Sequence, residues 1–218
     1  WSDAHGIPTG IVAYADLTAP DAEAVIDSHR AFSATRGIRQ QVYYHPTNTN
    51  WQYVDSKDFC LKDDFRRGLA AIQARDMTFD WQGYASQFGD LATLAGDFPD
   101  LRFCLVHAGM LTALDSATVS EWDDALDVLL PCDNVYIKVS GLNTYSRFLD
   151  EPLMDLVSNT VLDKFGVDRC FFGSNYPVER MWCAFGDYVT AQKRVVAGRS
   201  AADLRKFFHD TAMAFYRI

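Results

Sequence analysis

The chain has 218 residues, of which 49% are hydrophobic and 22% charged. This is ordinary globular composition, and it excludes a disordered, collagen-like or coiled-coil protein. The net charge is −9, and the densest basic cluster, Arg66-Arg67, lies beside Asp63 and Asp64. No basic patch is therefore available for nucleic acid. A chain of this length can bury a full core without disulfide or metal staples, and it fits one domain over 1–218.

The predicted elements alternate. Gly10–Ala15 reads as a strand and Pro20–Thr35 as a helix, with Pro20 suited to a first turn. Gly37–Tyr43 is the next strand, and a polar loop with His45 and Trp51 runs over Tyr44–Lys57. Leu61–Arg75 is helical by the spacing of Phe65, Leu69 and Ile72. Met77–Phe79 is a short strand, and Tyr84–Asp97 an amphipathic helix stopped by Pro99. Leu101–His107 is a strand, and Ser120 is placed to cap a helix through Leu130. Val135–Val139 is a strand, followed by a helix over Leu153–Phe165 that ends at Gly166. Cys170–Gly173 is the last strand, with helices over Trp182–Ala197 and Ala201–Arg217. Ser200 and Asp203 form a capping pair for the second of these. Strands alternating with helices imply an α/β fold with a parallel sheet.

Five cysteines, an odd number with no CxxC spacing, read as reduced core thiols of a cytoplasmic protein. No apolar run is long enough to span a bilayer, and no secretory signal is visible. Phosphate-binding glycine motifs, HxH, HExxH and GxSxG are all missing from the sequence.

Polar residues collect at the strand ends. They are Asp16 after the first, Arg39 and Gln40 on the second with His45 beyond, and Asp80-Trp81-Gln82 after the third. His107 ends the fourth, Lys138 and Ser140 lie on the fifth, and Ser174-Asn175-Tyr176-Pro177 with Glu179 follow the sixth. In a parallel α/β fold these ends share one rim, which predicts an enzyme or small-molecule site there. A buried Arg39 needs a carboxylate, and Asp80 is the candidate. Asp16 serves equally well as a helix cap, and Lys138 as half of a structural ion pair. Trp51, Trp81 and Trp182 suit a pocket mouth or an interface.

The segments GIVAYADL (10–17), RGIRQ (36–40), FDWQ (79–82), LVHAG (105–109), VYIKVSGL (135–142), FFGSNYPVE (171–179) and FYRI (215–218) resemble, in order, the amidohydrolase-related family. The branch they are most similar to is that of the sugar-lactone and pyrone-dicarboxylate lactonases. The resemblance implies a (β/α)8 TIM barrel with its site at the C-terminal rim. It also implies that the chain lacks the first two βα units, so that Trp1 falls in the helix leading to the barrel's third strand. In that family a metal is held by an HxH pair, a later His and an Asp. The later His maps to His107, and the Asp position is Asn175, a poorer ligand for a hard cation.

The function so implied is hydrolysis of a small carboxylated or sugar-derived lactone, metal-independent or weakly metal-dependent. His107, Asn175 and Lys138 are the catalytic candidates. Arg39, Gln40, His45, Asp80 and Tyr176 are the substrate-binding candidates. His107 is also the one candidate metal ligand, for zinc before any other ion. Asn175 cannot serve as a general base, because an amide does not titrate, so the base is unassigned. The alternatives are a metal-dependent decarboxylase and a non-catalytic barrel remnant. The expected partner is a small molecule, with no membrane or nucleic acid and with self-association left open.

Overall fold

A computed structural model describes residues 2–218; Trp1 lies outside the described residues. A single turn, α1 (Ser2–His5), precedes β1 (Ile11–Tyr14), α2 (Ala22–Arg30), β2 (Thr35–Gln41), α3 (Asp63–Ala74), β3 (Thr78–Gln82) and α4 (Phe88–Asp97). Then come β4 (Phe103–Val106), α5 (Ser116–Asp127), β5 (Val135–Val139), α6 (Glu151–Phe165), β6 (Cys170–Phe172) and α7 (Phe185–Val195). The chain closes with α8 (Ala201–Arg205), a π turn over Lys206–Asp210, and α9 (Thr211–Tyr216). All neighbouring strands pair in parallel, in the order β1-β2-β3-β4-β5-β6. Sequential parallel strands joined by helices form an arc of a βα barrel, with β1 and β6 at its edges.

The two faces of the arc follow from the period of two along each strand. Ile38, Phe79, Trp81, Phe103, Leu105, Val135, Ile137 and Val139 point outward and are buried under the helices. Helix α6 answers with Leu153, Met154, Val157, Val161, Leu162 and Phe165. Burying each such side chain contributes roughly 1.5–3 kcal/mol. On the inner face, Cys104, Val106 and Phe171 pack with Phe215 and Tyr216 of α9. The C-terminal helix thus fills the hollow of the arc.

Several element boundaries differ from expectation. Thr35 and Arg36 belong to β2, because Thr35 pairs with Ile11; the preceding helix ends at Arg30. Strand β3 runs through Asp80, Trp81 and Gln82, all buried. It can do so because the charge of Asp80 and the amide of Gln82 find partners inside the fold. Helix α5 begins at Ser116, and Asp115, rather than Ser120, caps it by accepting from the Thr118 N–H at 3.0 Å. The Ser200 cap is as expected, accepting from Asp203 N at 3.1 Å. Gly166 closes α6 at φ +74°.

All five cysteines are free thiols, with Cys60, Cys104 and Cys170 buried. Among the described residues, no helix is long and apolar enough to cross a membrane.

Candidate functional site

A cavity of about 660 Å³ opens at the C-terminal ends of the strands. Its floor includes Arg39, Gln82, His107 and Asn175, and Thr144, Arg147 and Met110 lie on its sides. One wall is aromatic, with Tyr43, Trp51, Tyr84 and Tyr145. Among the described residues that line it, none is acidic. Neither Arg39 nor Arg147 is in a described ion pair. The cavity is therefore positively biased and suits an anionic or electron-rich ligand.

His107 stands where β4 turns. His107, Ala108, Gly109 and Met110 all have positive φ, from 48° to 77°. For the three non-glycine residues this conformation costs on the order of 1 kcal/mol each. The Trp122 indole N–H holds the turn by donating to the Ala108 carbonyl at 2.7 Å. The imidazole Nδ1 lies 2.8 Å from the Ser140 hydroxyl at the end of β5. Gly141, at φ +65°, lets the backbone approach the ring, since a Cβ there would lie 2.5 Å from Nδ1. Burial, then the charges of Arg39 and Lys138, push the His107 pKa down to about 3. The ring is neutral near pH 7 and leaves Nε2 for the cavity.

Arg39 donates to the side-chain oxygen of Gln82, and the Gln82 amide donates in turn to the Met110 sulfur at 3.1 Å. The expected Arg39–Asp80 pair is not what forms, although the two residues are register partners. Asp80, 1% exposed, accepts instead from Lys138 Nζ at 3.1 Å and from the Tyr216 hydroxyl at 2.9 and 3.0 Å. Burial alone would lower the Lys138 pKa, but the Asp80 carboxylate outweighs it and holds the ammonium above its ordinary value. Lys138 and Asp80 are thus a structural pair beneath the cavity rather than part of its lining.

The other candidates separate by geometry. Gln40 alternates with Arg39 and pairs in register with outward Trp81, so its side chain cannot share the Arg39 face. Its amide is spent on Leu17 N at 2.9 Å and on Asp16 at 3.2 Å, which ties down the loop after β1. Asp16 itself accepts from Thr18 N and Oγ1 and closes that loop. His45 lies behind the aromatic wall, edge-on to Trp51 and Tyr84 at 5.1 and 5.2 Å. Its Nδ1 accepts from Asn48 N at 3.1 Å, which fixes the loop that carries Trp51. Tyr176 donates to the Cys183 carbonyl at 2.5 Å and packs on Phe185, away from the lining. Trp81 is fully buried core.

Sequence reasoning did not single out Tyr43, Tyr84, Met110, Tyr145 or Arg147 as site residues. The Tyr84 and Tyr145 hydroxyls lie 2.7 Å apart, and Trp51 packs on Tyr145 at 5.0 Å. Burial raises the pKa of Tyr43 and Tyr84, so both phenols remain protonated donors. The only signal in the sequence was the aromatic content of 14%, which does not say which rings converge.

Asn175 sits at φ 53°, a conformation that Asn tolerates better than most residues, and its Nδ2 donates to Glu179 Oε1 at 3.3 Å. Among the described residues, no three His, Cys, Asp or Glu side chains come together as cation ligands. His107 has one nitrogen committed to Ser140, and Asn175 offers a neutral amide already held by Glu179. These residues do not fit a divalent cation.

The chain is 33% identical to y4mH, an uncharacterised protein of Sinorhizobium fredii, over all of this chain and 72% of that one. It is 26% identical to an L-fucono-1,5-lactonase of Burkholderia multivorans, over 95% of this chain and 71% of that one. Among solved structures, an amidohydrolase of Burkholderia multivorans with bound zinc superposes with a TM-score of 0.86 at 26% identity. That match covers all of this chain and 76% of the other. The amidohydrolase family matches over residues 2–218. The chain belongs to the amidohydrolase family, and it is a hydrolase of that family's TIM-barrel type.

Proposed function

We propose that the cavity hydrolyses a small lactone that is derived from a sugar acid or carries a carboxylate. The observation that carries this reading is a neutral His107 beside uncompensated Arg39 and Arg147 in one cavity of about 660 Å³. Similarity to L-fucono-1,5-lactonases supports the reaction class.

Water adds to the ring carbonyl, the ring C–O bond breaks, and the released alkoxide takes up the proton that the water gives up. The product is an open-chain hydroxy acid. If the Ser140 hydroxyl donates to His107 Nδ1, the imidazole carries its proton on Nε2. That N–H then faces the carbonyl oxygen, on which negative charge develops, and the Arg39 guanidinium is left for a substrate carboxylate. Such an oxyanion donor is worth about 10²–10³ in rate. The aromatic wall stacks against the ring and shields it from bulk solvent. Asn175 accepts a hydrogen bond from the attacking water but does not take its proton.

The test is acid release from a panel of γ- and δ-lactones, neutral and carboxylated, by the 218-residue chain. The reading expects turnover above the uncatalysed rate for at least one of them. Uncatalysed rates throughout, with the chain folded by circular dichroism, would overturn it.

A further inference from the structure

Glu179 is fully buried, in the single helical turn over Val178–Met181 that follows the last strand. Its Oε1 accepts from Asn175 Nδ2 at 3.3 Å and from the Thr144 hydroxyl at 3.5 Å. Both donors line the cavity, so Glu179 stands one side chain behind it. Its Oε2 is buried with no hydrogen-bond partner, and no described salt bridge includes it. Burial first, and then the Glu179 charge among smaller causes, raises the pKa values of Tyr176, Cys183 and Tyr188, so these neighbours stay neutral. A buried carboxylate with no described cation beside it is costly, and a glutamine of the same shape would be cheaper to bury.

We propose that Glu179 is a positioning residue: its carboxylate holds the Nδ2 of Asn175 and thereby turns the Asn175 carbonyl oxygen into the cavity as a fixed hydrogen-bond acceptor. An ionised carboxylate only accepts, so the amide must present its NH₂ to it. With that end committed, Oδ1 is the end left for the ligand. The same contact accounts for an amide at position 175. An aspartate there would set a second carboxylate about 3.3 Å from Glu179 Oε1, and like charges at that range cannot both ionise cheaply. Burial already raises the Glu179 pKa, against the hydrogen bonds from Asn175, Asn143 and Thr144 that lower it. What the Asn175 oxygen meets rests on the lactonase reading, whereas the amide orientation does not.

The experiment is thermal unfolding at pH 8 of the full chain as wild type, Asn175→Asp, Glu179→Gln and the double variant. Asn175→Asp should lower Tm by on the order of 5 °C, and adding Glu179→Gln should restore most of that loss. Glu179→Gln alone should leave Tm unchanged or raise it. If Asn175→Asp does not fold, the double variant must. An Asn175→Asp variant that melts with wild type overturns the proposal, as does a double variant that recovers nothing. Should the chain open a lactone, Glu179→Gln should lower kcat about tenfold with KM kept, and should have no further effect in Asn175→Ala. An equal loss in both backgrounds overturns the positioning role. If no lactone is opened, the reaction reading fails by itself and the melting series still decides this one.

Discussion

His107 and Arg39 owe their properties to their neighbours more than to their residue types. The imidazole is wedged between the Ser140 hydroxyl and the backbone at Gly141, and two cations sit nearby. It is therefore a neutral donor near pH 7. Arg39 points into the cavity with one hydrogen bond to Gln82 and no carboxylate to neutralise it. Replacing it by methionine should raise KM for carboxylated lactones about 10–100-fold, the worth of a charge-assisted hydrogen bond. Neutral lactones should be spared. Steady-state kinetics on matched pairs checks this, and an equal effect on both members would show that Arg39 does not meet the carboxylate.

Among the elements, the strand ends do the positioning, and the most constrained is the pair formed by the ends of β4 and β5. Gly141 has a positive φ and almost no room, whereas Gly166 has a positive φ with open space where a Cβ would go. Alanine at either position meets backbone strain of about 1 kcal/mol. At Gly141 it must also displace the His107 ring. Gly141→Ala should therefore lose more Tm than Gly166→Ala, and only Gly141→Ala should lose turnover. Differential scanning calorimetry and lactone turnover read the two effects separately. This scale also shows what the sequence could reveal. The strand–helix alternation was legible from short apolar runs, and the rim followed from what stands at their ends. The period of two was enough to exclude Gln40 once Arg39 pointed inward. The aromatic wall was not legible, because Trp51 and Tyr145 are far apart in the chain and meet only through the fold. Asp80 was legible as a buried charge, but its partners Lys138 and Tyr216 come from β5 and from α9. Such long-range pairing leaves no local pattern.

At the scale of the whole molecule, the half-buried histidine links stability to pH. Its folded pKa of about 3 lies below the ordinary 6.5. The unfolded chain therefore binds a proton that the folded chain refuses. The contribution is fully present above pH 6.5 and is lost as pH falls toward 3. The Tm difference between wild type and His107→Gln should shrink across that window, and a constant difference would mean that His107 is not held neutral.

The same residue gives the most direct test of the lactonase account. The measurement is kcat/KM for the best-opened lactone, compared between wild type and His107→Ala, with both proteins shown to be folded. The account predicts a fall of about 10²–10³, the loss of one donor to a developing oxyanion. A His107→Ala protein that keeps the wild-type value would contradict it.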